Sequence, residues 1–246
     1  MSDGSSPVAA AAPADNVFAR LLGVIFSPRA TFERIVARPR WFGALAVVIG
    51  VIGLGQFALL STENGQQAII DQQVERAQRW GRTVSDEEYA NYEKFAPYNR
   101  FIVPVAIVIF VPVMTLATSG ILIGVFNALL GGNATFKQVL AIQSHTGATS
   151  LASALFTLPL NYLRSSMSSP TNLGVFAQAF FDDTSLPALF LGMIDLFIVW
   201  WLIVTAIGLA VLYKRRTAPI FWSLCGVYMA IALIVAIVIR SFSGGA

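Results

Sequence analysis

FIVPVAIVIFVPVMTLATSGILIGVFNALL, residues 101–130, runs for thirty residues without a charged side chain. A helix rises 1.5 Å per residue, so about 20 apolar residues cross a hydrocarbon layer about 30 Å thick. This stretch exceeds that length, and it decides the fold class. Four further segments qualify on the same ground, 41–60, 138–162, 186–213 and 219–239. The third is the most polar of the five, with serines and threonines that can hydrogen-bond inside a bundle. The expected architecture is an all-α integral membrane protein, a bundle of five transmembrane helices.

Composition agrees. The 246 residues are 56% hydrophobic and 12% charged, with mean hydropathy +0.70, against about 25% charged in a soluble domain. A net charge of +3 does not point to nucleic acid, because the basic residues gather at the edges of apolar segments, where membrane topology puts them. Cys225 stands alone, which excludes a disulfide framework and a paired-cysteine metal site.

Orientation follows from Lys and Arg near the span ends. With the N-terminus cytoplasmic, the inner side holds Arg29, Arg34, Arg38, Arg40, Lys137, Lys214, Arg215 and Arg216, and the outer side Lys94, Arg100, Arg164 and Arg240. Eight against four predicts N-terminus in, C-terminus out.

Residues 1–15 lack a basic start and a leucine-type core, so they read as a disordered tail rather than a secretory signal. Residues 16–40 read as two short amphipathic helices on the cytoplasmic leaflet. Phe18, Leu21, Leu22 and Ile25 share one helical spacing, and Phe32, Ile35 and Val36 repeat it after the Ser27-Pro28 break. Ser27 can cap and Pro28 suits a first helical position. Arg29, Arg34, Arg38, Arg40, Lys214, Arg215 and Arg216 form a lipid-surface set; the alternative is that these helices pack under the bundle as an elbow. Within the membrane domain, 41–240, residues 61–100 form an extracytoplasmic insert read as a helical hairpin turning near Gly81. Ser85 and Glu88 have the spacing of a capping box, and Val84 with Tyr89 that of a hydrophobic staple. Residues 241–246 are a short tail.

Candidate polar residues lie inside the spans. Asp195 falls nine residues into the fourth, where a carboxylate costs about 2.5–3.5 kcal/mol near mid-membrane, so it needs a partner or a wet interface. His145, the one histidine, lies in the third span. Thr146, Ser150, Ser153, Thr157 and Asn161 recur at helical spacing and make one polar stripe, which either lines a wet path or lets helices pack closely. Gly120, Gly124 and Ala128 make a small-residue ridge for helix contact, and Pro104 and Pro112 can kink the second span. No GxSxG, HExxH, Walker loop or GxGxxG occurs. Neither an enzyme site nor a cofactor is expected.

Three stretches carry a resemblance: LLGVIFSPRATFERI at 21–35, GGNATFKQVLAIQ at 131–143 and DLFIVWWLIVTAIGLA at 195–210. They resemble the Yip-one family of Ypt/Rab-interacting membrane proteins in its prokaryotic branch, over about 17–239. The resemblance implies five spans, a cytoplasmic N-terminus, a short outer C-terminus and residence in a bacterial inner membrane. Eukaryotic relatives serve as membrane adaptors for small GTPases, a role that does not transfer where that machinery is lacking, and the forty-residue polar insert departs from the family's tight turn. The reading is a non-enzymatic scaffold, adaptor or membrane organiser. Its expected partners are the bilayer and membrane or peripheral proteins, with homo-oligomers left open. The rival is a small permease or channel using the third-span stripe, His145 and Asp195. Five spans without an obvious inverted repeat weaken that rival.

Overall fold

The structure, a computed structural model, describes residues 16–177, 179–182 and 184–243, so the tail at 1–15 and the end of the tail at 241–246 lie outside it. The described residues are helical, with one isolated bridge between Asn172 and Asp195.

Two short helices open the chain. Asn16 Oδ1 accepts the Ala19 N–H (2.7 Å) and starts α1, Val17–Phe26. The Ser27 N–H closes it on the Gly23 carbonyl, and Pro28 begins α2, Pro28–Ala37. The Ser27 side chain makes no cap bond, contrary to the expectation, because the turn leaves it in neither an extended nor a helical conformation. Both helices are built into the core: Leu21, Val24, Phe32 and Ile35 are all buried. The outward face of α1 is apolar too, with Phe18 62%, Leu22 60% and Phe26 81% exposed, whereas that of α2 carries Arg29, Glu33 and Arg34.

Next come α3, Phe42–Leu60; α4, Glu63–Arg79; and α5, Asp86–Phe95. Gly81, at φ +70°, turns the chain between α4 and α5 in a conformation costly to any residue with a Cβ. Ser85 Oγ accepts the Glu88 N–H (3.2 Å), half of the expected capping box. The other half is missing because Glu88 turns to Arg82 (2.9 Å) and the Tyr92 hydroxyl (2.7 Å). A reciprocal box forms instead between Thr135 and Gln138. After a 3₁₀ turn, α6, Asn99–Leu130, runs for 32 residues, about 48 Å at 1.5 Å per residue. It packs on α3 through the most extensive helix pairing in the molecule.

The expected third span is divided at Gly147 into α7, Phe136–Thr146, and α8, Ala148–Arg164. The expected fourth is divided as well. After α9, Gly174–Ala177, a single turn and a half, α10, Leu186–Leu191, stops at Gly192, and α11, Leu196–Leu212, begins afresh at Asp195. The chain ends in α12, Thr217–Ser243. Hydropathy continues across both breaks and so hid them. Among the described residues, three helices are long and apolar enough to cross a membrane: α3, α12, and α6 at the end of the continuous run Asp86–Leu130.

The bundle has two ends. At one, α2, the start of α7 and the α11–α12 turn meet: Gln138 Nε2 donates to the Val36 carbonyl (3.4 Å), and Arg29 lies beside Lys214. At the other, Asn64 Nδ2 donates to the Tyr162 carbonyl (3.2 Å) and the Trp80 ring meets Phe242 at 5.6 Å, so α4, the end of α8 and the end of α12 are neighbours. The core sits toward the first end, where α7, buried from Val139 to Thr146, is wrapped by α1, α2 and α11. A Cβ on Gly208 would stand 2.5 Å from Ile142 Cγ2 and 3.3 Å from Phe32; three helices converge there because glycine lets them. The expected ridge of α6 is not such a contact. Gly120 and Gly124 have nothing within 4 Å, and the helix buries Ser119, Leu122 and Phe126 instead.

Candidate functional site

Asp195 organises the site. Expected within a span, it stands as the N-cap of α11 in extended conformation, Oδ1 accepting the Phe197 N–H (2.8 Å). Its other oxygen accepts the hydroxyls of Ser169 (2.5 Å) and Thr171 (2.6 Å). The Leu173 N–H to Ile194 carbonyl bond and the Leu196 N–H to Thr171 carbonyl bond stitch the 169–173 loop onto the same turn. An Asp at a helix start is favoured by the positive end of the macrodipole, so the local rule for a cap outweighs the apolar run around it.

Above this cap opens a cleft of about 810 Å³, bounded by α3, α8, α11 and α12. The α8 wall carries the hydroxyls of Ser150, Ser153 and Thr157; the α12 wall presents Ile231, Ala232 and Val235. Trp201, Phe197 and Tyr228 add aromatic surface, and the Tyr228 hydroxyl donates to the Met193 carbonyl. Gln56 reaches the cleft from α3 with a buried Oε1 that accepts no hydrogen bond from a described residue.

The polar stripe of the third segment is thereby split by the helix break. Ser150, Ser153 and Thr157 line the cleft with Asp195, whereas Thr146 and Asn161 do not. Thr146 is buried in α7, its hydroxyl on the Ile142 carbonyl (2.9 Å). The Asn161 amide, oriented by its surroundings, donates to the Ser166 (3.2 Å) and Thr157 (3.3 Å) carbonyls and closes α8. His145 is fully buried, with Nδ1 2.7 Å from the Ala141 carbonyl, and it is not one of the three donors to Asp195. The neighbouring Gln143 accepts from Thr205 of α11 (3.4 Å). Ser144 likewise bonds back to its own helix, its hydroxyl on the Leu140 carbonyl (2.8 Å), a common way for a hydroxyl to be satisfied inside a helix.

Ser169, Thr171, Gln56 and Tyr228 had no place in the sequence reading. The run SSMSSPT at 165–171 was the available signal, a hydroxyl-rich loop between two apolar segments with one carboxylate to satisfy.

A second recess, about 620 Å³, lies at the opposite end. Arg29, Lys214, Arg215 and Arg216 meet there around Glu33, and Arg29 pairs loosely with Glu33 at 3.8 Å. Lys214 has φ +53°, and the Arg215 N–H returns to the Ala210 carbonyl (2.9 Å), the left-handed ending that brings three basic residues into a tight turn. Arg34, Arg38 and Arg40 do not line this recess; Arg34 Nη2 reaches Thr31 Oγ1 at 3.4 Å.

The Yip1 domain family model matches residues 22–239. No curated protein and no solved structure matches the chain.

Proposed function

Because the chain belongs to the Yip1 domain family of membrane proteins, we propose that it works as a non-enzymatic five-span scaffold or adaptor. It recruits protein partners or organises lipid at the cytoplasmic face of a bacterial inner membrane, as a member of the family's prokaryotic branch. The observation that carries this reading is the leader. α1 and α2 are fixed to the bundle by Leu21, Val24, Phe32 and Ile35, yet α1 turns Phe18, Leu22 and Phe26 outward and α2 brings Arg29 into a recess with Lys214, Arg215 and Arg216. A rigid apolar and basic surface at a membrane interface suits anionic lipid and peripheral proteins.

The topology proposed with it has a cytoplasmic N-terminus and an outer C-terminus. It is supported by the two ends of the bundle, since an odd number of crossings separates the leader from the insert and leaves the insert beside the end of α12. Reporter fusions test it: Lys137 and Arg215 are expected inside, Tyr89 and Gly245 outside, and a cytoplasmic Tyr89 overturns it. Cross-linking at Phe18 and Leu22 in native membranes, read by mass spectrometry, tests the adaptor role. Partners captured by wild type and lost from Phe18→Ser/Leu22→Ser at equal membrane level support it, and an unchanged set refutes it.

The cleft favours a second reading, a small permease. Flux across liposomes containing the protein, lost in Asp195→Asn at equal incorporation, would put that reading first.

A further inference from the structure

We propose that the cleft around Asp195 is a binding site for an amphipathic molecule with a primary ammonium head. This goes beyond the scaffold reading and does not depend on it. The chemistry of the lining selects the ligand in three steps. Among the described residues Asp195 is the one charged side chain lining the cleft, and its three donors, two hydroxyls and one amide, are neutral. A half-buried carboxylate without a counter-charge is complemented by a cation. A carboxylate has about four acceptor positions, so room for another donor remains.

The second step is hydrogen bonding. The Gln56 Oε1 acceptor is buried and takes no hydrogen bond from a described residue, and Ser150, Ser153 and Thr157 add hydroxyl oxygens along one wall. An ammonium brings three donors and no acceptor, which fits an acceptor-bearing surface. An anionic head would face Asp195, and a neutral hydroxyl would leave its charge unanswered.

The third is shape. Ca²⁺ and Mg²⁺ take about six or more oxygen ligands and Zn²⁺ about four from Cys, His or carboxylate, and no group of three His, Cys, Asp or Glu placed to hold a metal ion occurs among the described residues. An inorganic ion would also leave the wall of Ile231, Ala232 and Val235 with nothing to cover it. An alkyl chain covers it, at roughly 0.8 kcal/mol per buried methylene. Trp201 and Phe197 give the ammonium an aromatic surface, a contact such cations favour.

An aminophospholipid of the bilayer and a diffusible long-chain amine share this chemistry. The probe is 12-bromododecylamine, whose bromine quenches tryptophan, titrated into the full-length protein in a non-ionic detergent. Saturable quenching is expected in wild type and should be lost in Trp201→Phe. The midpoint should rise at least tenfold in Asp195→Asn, where the amide still accepts the Phe197 N–H and so keeps the cap. Ser153→Leu, which fills the cleft, should abolish saturation. The matching bromo-alcohol and bromo-acid should bind at least tenfold more weakly than the amine. Equal midpoints for wild type and Asp195→Asn, equal binding of the acid, or quenching that survives Trp201→Phe overturns the proposal. Repeating the titration in nanodiscs separates the sources. Phosphatidylethanolamine that raises the midpoint over phosphatidylcholine alone identifies the bilayer lipid, and no change identifies a diffusible amine. Failure of this experiment leaves the scaffold reading standing, because that reading rests on the leader at the other end of the bundle.

Discussion

Asp195 illustrates how much a single residue can hide. As the lone carboxylate in a long apolar stretch it was visible at once, but its environment was not, since hydropathy averages over the four-residue break that turns it from a buried charge into a cap. Three donors converge on it, so Asp195→Asn is expected to fold normally, an amide keeping the acceptor that starts α11. Asp195→Leu strands Ser169, Thr171 and the Phe197 N–H together, and thermal unfolding in detergent should register a loss of about 1–3 kcal/mol. Gly208 is the apolar counterpart. Gly208→Val puts atoms where Ile142 and Phe32 already stand, and overpacking of that kind costs about 1–3 kcal/mol. Glycine in an apolar run does not reveal which partner presses against it, so this junction was beyond sequence reading.

Among the elements, the insert hairpin offers a titration. The Tyr92 hydroxyl bonded to Glu88, against desolvation and with the help of Arg82, holds the Glu88 carboxyl below its ordinary 4.5, and the same bond pushes the Tyr92 phenol up. A depressed carboxyl contributes to folding above its unfolded value, and the contribution fades as pH falls through the lowered one. Tyr92→Phe should therefore bring Glu88 back toward 4.5 in a side-chain NMR titration; an unmoved value would show the bond to be absent in solution. The two hairpin helices were legible from their spacing and from Ser85, while the partner chosen by Glu88 depended on Arg82, which lies before the cap and outside the motif. The leader was half legible in the same way. Its helical spacing showed an amphipathic pair, but α1 is apolar on two faces, and only contact with α7, α8 and α3 tells which one is inside. Phe32→Ala, on the inner face, should cost about 3–5 kcal/mol, whereas Phe26→Ser, on the outer, should leave the unfolding temperature nearly unchanged.

At the scale of the whole molecule, the leader's place in the core sets the order of events during synthesis. Phe32 leaves the ribosome before Gly208, on which it packs, by 176 residues (208 − 32). At roughly 5–20 residues per second, Phe32 waits about 9–35 s for Gly208, a long interval for an apolar ring to stay incompletely covered. The membrane surface itself is the obvious place to wait, since an amphipathic helix can lie there until its partner arrives. Nascent chains arrested at residue 190 should accordingly show Arg20 open to trypsin in the absence of bilayer and shielded in its presence, and chains arrested past residue 240, in which Arg20 is buried by the fold, should be shielded in both. A segment made early thus acts as a late fastener, and the bundle cannot close at this point until α11 has been made.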